Sequence, residues 1–356
     1  MSRTKTTIRD VAARAGVSST SVSRVLSGRD KTQMRPETRE KILRAIAELS
    51  FTPERAAQRL RAKASHVVAV ILPDIANPFF SLLARGVESL AVERGYCTLI
   101  CDSENSCGKE LQNLNLLSTE GLDGAVLVPV SSPDCARLER LTQEGLQIVI
   151  ADRRVQGYPE IGAANAEGSY ELTSYLLMLG YRRVGYLAGP AGVSTAEDRL
   201  AGFEESMAVH GVTPVAIARG DFTYESGRRL SLKMLREKEP DAIIAANDLM
   251  AIGALRAAES RGLLAPGDIG VAGFDHVPWT QLVVPELTSV RIPSFEIGRE
   301  AMALLAKQLG GASDVAGKVF ATELVRGATT RRVRGSKAGR SATRSHRKGA
   351  AGRPHA

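Results

Sequence analysis

Residues 7–28 read TIRDVAARAGVSSTSVSRVLSG, and they predict two short helices joined by a tight turn. Thr7 and Asp10 have the spacing of a capping box, which predicts that the first helix begins just after Thr7. Its apolar residues recur at i, i+3, i+4 and i+7 and so share one face: Ile8, Val11, Ala12 and Ala15. Gly16 permits the sharp turn, and Ser18 can cap the second helix. This is the helix-turn-helix layout, in which the second helix enters the major groove of DNA.

The second helix has one apolar face and one polar face. Val22, Val25 and Leu26 lie on the apolar side, and the residues left exposed are Ser19, Thr20, Ser23 and Arg24. Arg24 suits a bidentate contact to guanine, the commonest specific protein–DNA pairing. The alternative is a structural helical hairpin inside a larger domain.

Charge is unevenly distributed along the 356 residues. Residues 1–62 carry a net charge of +8 and residues 331–356 a net charge of +9, whereas the intervening residues carry −9. A basic segment that coincides with a helix-turn-helix motif indicates contact with a polyanion.

A third helix and a short linker helix follow. Pro36 suits a first helical position, and the predicted buried stripe of the third helix is Ile42, Leu43, Ile46 and Leu49. Residues 51–64, FTPERAAQRLRAKA, predict another helix, which is too short to be stable by itself in water.

From residue 67 onward, apolar runs alternate with amphipathic helices. The first series of predicted strands is 67–74, 97–103, 124–130 and 148–153, and the second is 184–190, 242–248 and 269–275. Predicted helices lie between them, at about 79–94, 109–120, 133–143, 166–180, 196–210, 224–237 and 249–261. Two such series predict an α/β domain of two Rossmann-like lobes, each an open doubly wound sheet.

Ligands of open α/β sheets bind beyond the carboxyl ends of the strands. The aromatic, charged and amide residues that follow the predicted strands are Asn77, Phe79, Phe80, Asp152, Arg153, Arg199, Phe222, Asn247 and Asp275. Carboxylates accept hydroxyl protons, Arg donates in a fixed fork, and aromatic faces pack the C–H side of a sugar ring. This set therefore favours a sugar site, although each residue alone could serve packing, capping or a local ion pair.

The segment 6–62 closely resembles the N-terminal domain of the lactose-repressor (LacI/GalR) family of bacterial transcription regulators, and the likeness continues more loosely to about residue 330. The resemblance implies a small all-α helix-turn-helix DNA-binding domain followed by an α/β periplasmic-binding-protein-like domain. It implies that operator contacts come from Thr7, Ser19, Thr20, Ser23 and Arg24. It also implies that 51–64 contains the family's hinge helix, with Leu60 wedged into a minor-groove base step beside Ala57. Where the family usually has a Ser or Thr cap before Pro36, this chain has Arg35, so the third helix should be less well capped.

The candidate cleft residues resemble those of ribose-binding proteins and related regulators. One departure is Arg291, which precedes Ile292-Pro293 where that pattern has a pocket Gln. The extra cation is expected in the cleft, where it would favour a sugar acid or sugar phosphate over a neutral pentose.

The predicted domains are a DNA-binding domain at 1–50, a hinge helix and linker at 51–65, a two-lobed effector and dimerisation domain at 66–330, and a basic disordered tail at 331–356. Lobe 1 is expected to comprise about 66–163 and 293–318, and lobe 2 about 164–292 and 319–330.

Together these features predict a homodimeric repressor that binds a near-palindromic operator and releases it under the control of a ribose-like pentose or sugar acid. Use of a phosphoprotein corepressor, or dual activation and repression, is the alternative. An enzyme would need a nucleophile or acid–base pair in the cleft, and the carboxylates there have Arg partners that suit binding instead.

Other chemistry has little support in the sequence. His and Cys residues lack metal-ligand spacing, and we expect no metal or cofactor. Cys97 and Cys101 alternate along a predicted strand, where they are expected to be small buried hydrophobes. The sequence has neither a signal peptide nor an apolar run long enough for a membrane span, which favours a cytoplasmic protein.

Overall fold

The computed structural model describes residues 6–26, 34–49, 51, 65–132, 135–312 and 316–333. The predicted hinge helix, with Ala57 and Leu60, and the basic tail beyond residue 333 lie outside these residues.

Three helices form the N-terminal unit: α1 (Ile8–Ala15), α2 (Ser19–Leu26) and α3 (Pro36–Glu48). The Asp10 carboxylate accepts hydrogen bonds from the backbone N–H and the hydroxyl of Thr7, both at 2.7 Å. Gly16 ends α1 in the left-handed conformation, with φ of 67°. Ser18 Oγ then accepts from the Ser21 N–H at 3.2 Å and so caps α2. The predicted helix-turn-helix is confirmed.

The core of this unit is small. Val11, Val22 and Ile42 are fully buried at its centre. Leu43, predicted to be buried, is 42% exposed, and Ala45 is buried instead. The reason is helical phase: residues 42, 45, 46 and 49 share one face, whereas 43 lies about 100° away from 42. Arg35 makes no side-chain cap at the start of α3, as expected.

Lobe 1 is built on a four-stranded parallel sheet of order β2-β1-β3-β4. Its strands are β1 (Val67–Leu72), β2 (Cys97–Asp102), β3 (Gly124–Leu127) and β4 (Gln147–Ile150). Its first three helices are α4 (Pro78–Glu93), α5 (Cys107–Thr119) and α6 (Cys135–Gln143). The expectation that Cys97 is buried is wrong, because β2 is an edge strand and leaves this thiol exposed, while Cys101 is half-buried.

Lobe 2 repeats the topology with strand order β7-β6-β8-β9. Its strands are β6 (Val184–Ala188), β7 (Ala216–Arg219), β8 (Ala242–Ala245) and β9 (Gly270–Ala272). Its helices are α7 (Asn165–Leu179), α8 (Ser194–Val209), α9 (Tyr224–Glu237) and α10 (Asp248–Glu259). The sequence analysis missed β7, because this edge strand alternates between half-buried and exposed residues instead of forming a continuous apolar run.

The chain crosses between the lobes along two pairs of short strands. β5 (Ile161–Ala163) pairs in parallel with β11 (Lys318–Phe320), and β10 (Ser289–Arg291) pairs antiparallel with β12 (Glu323–Val325). After β10 the chain returns to lobe 1 as α11 (Ser294–Leu309), which packs on α4. The two helices approach so closely at Gly86 that a Cβ there would lie 2.0 Å from the Phe295 carbonyl oxygen.

Candidate functional site

A cavity lies between the lobes, where strands of both sheets end. Ten side chains line it: Asn77, Phe79, Phe80, Asp152, Arg153, Thr195, Arg199, Phe222, Asn247 and Asp275. Nine of them are the residues that the sequence analysis placed after the strands, so the fold brings these nine together.

The first lobe contributes its aromatic side chains from the start of α4. Asn77 Oδ1 accepts the Phe79 N–H at 3.1 Å and caps this helix. Phe79 and Phe80 are both buried, with ring centroids 5.2 Å apart in an edge-to-face arrangement. The cap therefore fixes two apolar ring surfaces at the wall of the cavity.

Arg199, on α8, is held in place by three different partners. Its Nε donates to Asn165 Oδ1 at 2.8 Å, its Nη1 donates to the Ala246 carbonyl at 2.6 Å, and its Nη2 lies 2.9 Å from Asp275 Oδ1. Its guanidinium carbon also lies 4.2 Å from the centroid of the Phe274 ring. This guanidinium is buried and its position is set by lobe 2 alone.

Two buried carboxylates, those of Asp152 and Asp275, line the cavity. Asp152 Oδ1 accepts no hydrogen bond from any described residue, whereas Asp275 Oδ1 lies 2.9 Å from Arg199 Nη2. The contact between Asp275 and Arg199 is a buried ion pair. Burial raises the pKa of Asp275 to about 7 against the opposing effect of Arg199, and burial also raises the pKa of Asp152.

Arg153 is committed to the backbone of lobe 1. Its Nη1 donates to the carbonyls of Pro129 and Val130, the latter at 2.7 Å, while its Nε is buried without a partner among the described residues. The Glu110 carboxylate, itself buried, accepts the Val130 N–H at 2.6 Å. Burial raises the pKa of Glu110, and it lowers the pKa of Arg153.

Three cavity residues have left-handed backbone conformations that are unusual for residues other than glycine. The φ angles are 65° at Asp152, 67° at Phe222 and 100° at Asp275. Asn247 fixes the second of these, because its Nδ2 donates to the Phe222 carbonyl at 3.0 Å. Such strain concentrates at ligand sites, where the surrounding structure enforces it.

The expectation that Arg291 lies in the cleft is wrong. Its side chain is 47% exposed and pairs with Glu323 Oε2 at 2.8 Å, outside the cavity lining. Arg291 ends β10, where Val290 is buried, and successive residues of a strand point to opposite faces. The cation that would favour a sugar acid or sugar phosphate therefore lies outside the cavity.

Sequence reasoning missed Thr195, the tenth residue of the cavity. It lies four residues before Arg199 on α8 and therefore on the same helical face, a spacing that could have indicated it. It also missed Asn165 and Glu110, which lie behind the cavity wall. Asn165 follows β5, a strand that was not predicted, and Glu110 lies within α5.

Among the described residues, the predicted DNA contacts lie on α2, apart from Thr7, which precedes α1, while Ala57 and Leu60 lie outside the described residues. Thr7, Thr20 and Arg24 are exposed, whereas Ser19 and Ser23 are half-buried. Residues 20 and 24 are one helical turn apart, so both reach the same face of α2.

Two family models match this chain. Residues 7–54 match the bacterial regulatory proteins of the lacI family, and residues 173–330 match the periplasmic-binding-protein-like domain. The HTH-type transcriptional repressor CytR of Escherichia coli (strain K12) is 35% identical over 314 residues, which cover 86% of this chain and 91% of CytR. The chain belongs to the lacI family. As a lacI-family protein it is a DNA-binding transcription regulator with a periplasmic-binding-protein-like domain.

Two further relatives support this assignment. The ribose operon repressor of Halalkalibacterium halodurans is 35% identical over 307 residues, covering 85% of this chain and 90% of that protein. The crystal structure of the Lac repressor dimer bound to operator and the anti-inducer ONPF superposes with a TM-score of 0.81. It is 27% identical and covers 92% of this lacI-family chain and 99% of the Lac repressor chain. Across the described ranges, no helix of this protein is long and apolar enough to cross a membrane.

Proposed function

We propose that this lacI-family protein is a repressor whose operator binding is controlled by a small, neutral, single-ring sugar held between the lobes. The observation that carries the proposal is the pair of buried carboxylates at the cavity: Asp152 Oδ1 accepts no hydrogen bond from a described residue, and Asp275 Oδ1 has only its ion pair with Arg199. Unsatisfied buried acceptors are costly, and sugar hydroxyls are donors that satisfy them.

Charge balance favours a neutral ligand over an anion. Two carboxylates and two guanidinium groups line the cavity, so their formal charges cancel, and both guanidinium groups donate to protein atoms. A carboxylate or phosphate on the ligand would add an unbalanced negative charge beside two buried carboxylates. A ribose-like pentose therefore fits better than a sugar acid.

The aromatic lining of the cavity also narrows the ligand class. Phe79, Phe80 and Phe222 supply ring faces for the C–H side of one sugar. The ribose operon repressor among the relatives supports the same choice.

A thermal-unfolding experiment tests the effector site. The full chain is heated alone and with a panel of neutral pentoses, neutral hexoses, sugar acids and sugar phosphates. A sugar at about 100 times its dissociation constant should stabilise the folded state by roughly 2.7 kcal/mol. Asp152→Asn should lose that shift, and Glu323→Gln, outside the cavity, should keep it. A shift with sugar phosphates alone, or with no compound of the panel, would overturn the proposal.

We also propose that the chain divides into a DNA-binding domain at 1–50, a hinge at 51–65, a two-lobed domain at 66–330 and a tail at 331–356.

We propose that the operator is contacted by Thr7, Ser19, Thr20, Ser23 and Arg24, with Ala57 and Leu60 in the minor groove. Arg24→Ala should weaken binding to an operator selected from random DNA by about 1–3 kcal/mol. Binding to unrelated DNA should change much less, and an equal loss on both DNAs would assign Arg24 to phosphate contacts instead.

We also propose that a second copy of the chain covers an apolar groove of lobe 2. The groove runs between α10 and the loop at 282–285, and its most exposed residues are Leu264, Leu282 and Val284, at 61%, 76% and 97%. A contiguous apolar surface of this kind marks a protein interface. Two-fold symmetric pairing would present two DNA-binding domains to a near-palindromic operator.

A further inference from the structure

One ion pair joins the two lobes at the rim of the effector cavity. Arg154 follows β4 of lobe 1, and both of its terminal nitrogens donate to the Asp198 carboxylate on α8 of lobe 2, Nη2 to Oδ1 at 2.7 Å. The Arg154 backbone N–H donates to Ser194 Oγ, also on α8, at 2.9 Å. The contact therefore has three hydrogen bonds between the lobes, two of them charge-assisted.

The position of this contact connects it to the cavity. Arg154 directly follows Asp152 and Arg153, while Ser194 and Asp198 flank Thr195 and Arg199 on their helix. None of the three residues of the contact lines the cavity itself. Any opening of the cleft that moves α8 away from the end of β4 must break all three hydrogen bonds.

We propose that Arg154, Ser194 and Asp198 form a latch that sets the free energy of cleft closure and thereby the affinity for the effector. The predicted change in effector affinity rests on the proposed function, whereas the latch itself does not. A ligand that binds only the closed cleft loses affinity in proportion to the fraction of closed molecules. The latch thus tunes effector sensitivity through residues that make no contact with the ligand.

The partial exposure of the pair sets the size of the effect. The Arg154 side chain is 49% exposed and that of Asp198 is 21% exposed, so water and salt weaken their attraction. Exposed pairs couple weakly, but the bidentate geometry places this pair at the upper end of that range. We expect the equilibrium constant for cleft closure to fall about three- to fivefold when either charge is removed.

The same helix provides a matched control. Glu197 precedes Asp198 on α8 and pairs with Arg219 of β7 at 3.0 Å, with both side chains about two-fifths exposed. This second ion pair lies entirely within lobe 2. Glu197→Gln therefore removes a comparable ion pair from α8 without affecting the contact between the lobes.

The first experiment needs no ligand. Hydrogen exchange is followed in the full-length protein for peptides that cover 151–157 and 192–200, in wild type, Asp198→Asn, Arg154→Gln and Glu197→Gln. The two latch variants should exchange about three- to fivefold faster in both peptides, and Glu197→Gln should match wild type. Raising NaCl from about 50 mM to about 500 mM should accelerate exchange in wild type but not in Asp198→Asn. This salt test also serves if a variant folds poorly.

The second experiment measures the dissociation constant of D-ribose by titration calorimetry. Each single latch variant should bind about three- to fivefold more weakly, and the double variant no more weakly than either, because the two charges act as one unit. The exchanged pair, Arg154→Asp with Asp198→Arg, should recover affinity. If wild type binds no ribose, D-ribose is not the effector and hydrogen exchange alone decides on the latch. Hydrogen exchange at the wild-type rate in both Asp198→Asn and Arg154→Gln would overturn the latch proposal.

Discussion

Asp275 combines three properties that rarely coincide in one residue. It is buried, its φ of 100° is left-handed, and its Oδ1 has only the ion pair with Arg199 at the wall of the cavity. The neighbouring Asp248 is satisfied by the Val277 N–H and the Ser289 hydroxyl, so the two buried carboxylates have different roles. We infer that the fold tolerates an unfavourable carboxylate at position 275 because a ligand uses it.

The raised pKa of Asp275 predicts a pH-dependent stability. The carboxyl titrates near 3.8 when unfolded and near 7 when folded, so the folded chain binds more protons between these values. The contribution of Asp275 to the free energy of unfolding should therefore fall as the pH rises from about 4 to about 7 and level off above it. Asp275→Asn should remove this contribution from the pH dependence of stability.

Urea denaturation at about pH 4 and about pH 8 measures the effect. Part of the pH dependence should remain, because burial also raises the pKa values of Asp152 and Asp248. The same difference in stability between the two pH values in Asp275→Asn and in wild type would show that Asp275 does not titrate in this range.

At the scale of secondary structure, the pairing of α4 with α11 completes lobe 1. A Cβ at Gly298 would lie 2.0 Å from the Leu83 carbonyl oxygen, which mirrors the approach at Gly86. Arg299 donates to Ser89 Oγ and to Glu93 Oε1, both at 2.8 Å, and so ties the two helices together at the surface. The interface depends on backbone contact that only glycine permits.

Gly86→Ala should therefore destabilise the protein by about 2 kcal/mol or more, because overpacking outweighs the better helix propensity of alanine. Gly108→Ala is the matched control, since a Cβ there would meet its nearest neighbour, Ser106 Oγ, at 3.7 Å. Thermal unfolding of both variants gives the comparison. Equal stabilities for Gly86→Ala and Gly108→Ala would show that the helices can separate at no cost.

The elements differ in how well the sequence predicts them. Continuous apolar runs such as 67–72 and 242–245 identified their strands, because strands buried on both faces contain little else. The strands at 161–163, 289–291, 318–320 and 323–325 were missed, since three residues give no measurable period. Nine residues of the candidate site were predicted because they come after predicted strands. The exposure of Arg291 was not predicted, because it depends on which face of β10 meets the cavity.

For the whole molecule, the groove of lobe 2 determines the predicted assembly. Leu282→Glu places a charge at the centre of the proposed dimer surface and should convert the dimer to a monomer at micromolar concentration. Met178→Glu is the control, because Met178 is also an exposed apolar residue, at 69%, but lies on α7 away from the groove. Light scattering after size-exclusion chromatography distinguishes the species. A wild-type protein that is monomeric, or a Leu282→Glu protein that stays dimeric, would reject this surface.

The long sequence separation between α4 and α11 has a consequence for protein synthesis. Arg299 and its partner Glu93 are 206 positions apart, so the apolar side of α4 leaves the ribosome long before the helix that covers it. At about 5–20 residues per second, that face waits about 10–40 s for its partner. We expect ribosome-bound chains that end before residue 294 to keep α4 open to protease, and chains that extend well past 309 to protect it. The DNA-binding domain emerges first and can fold during this interval, before the lobe next to it is complete.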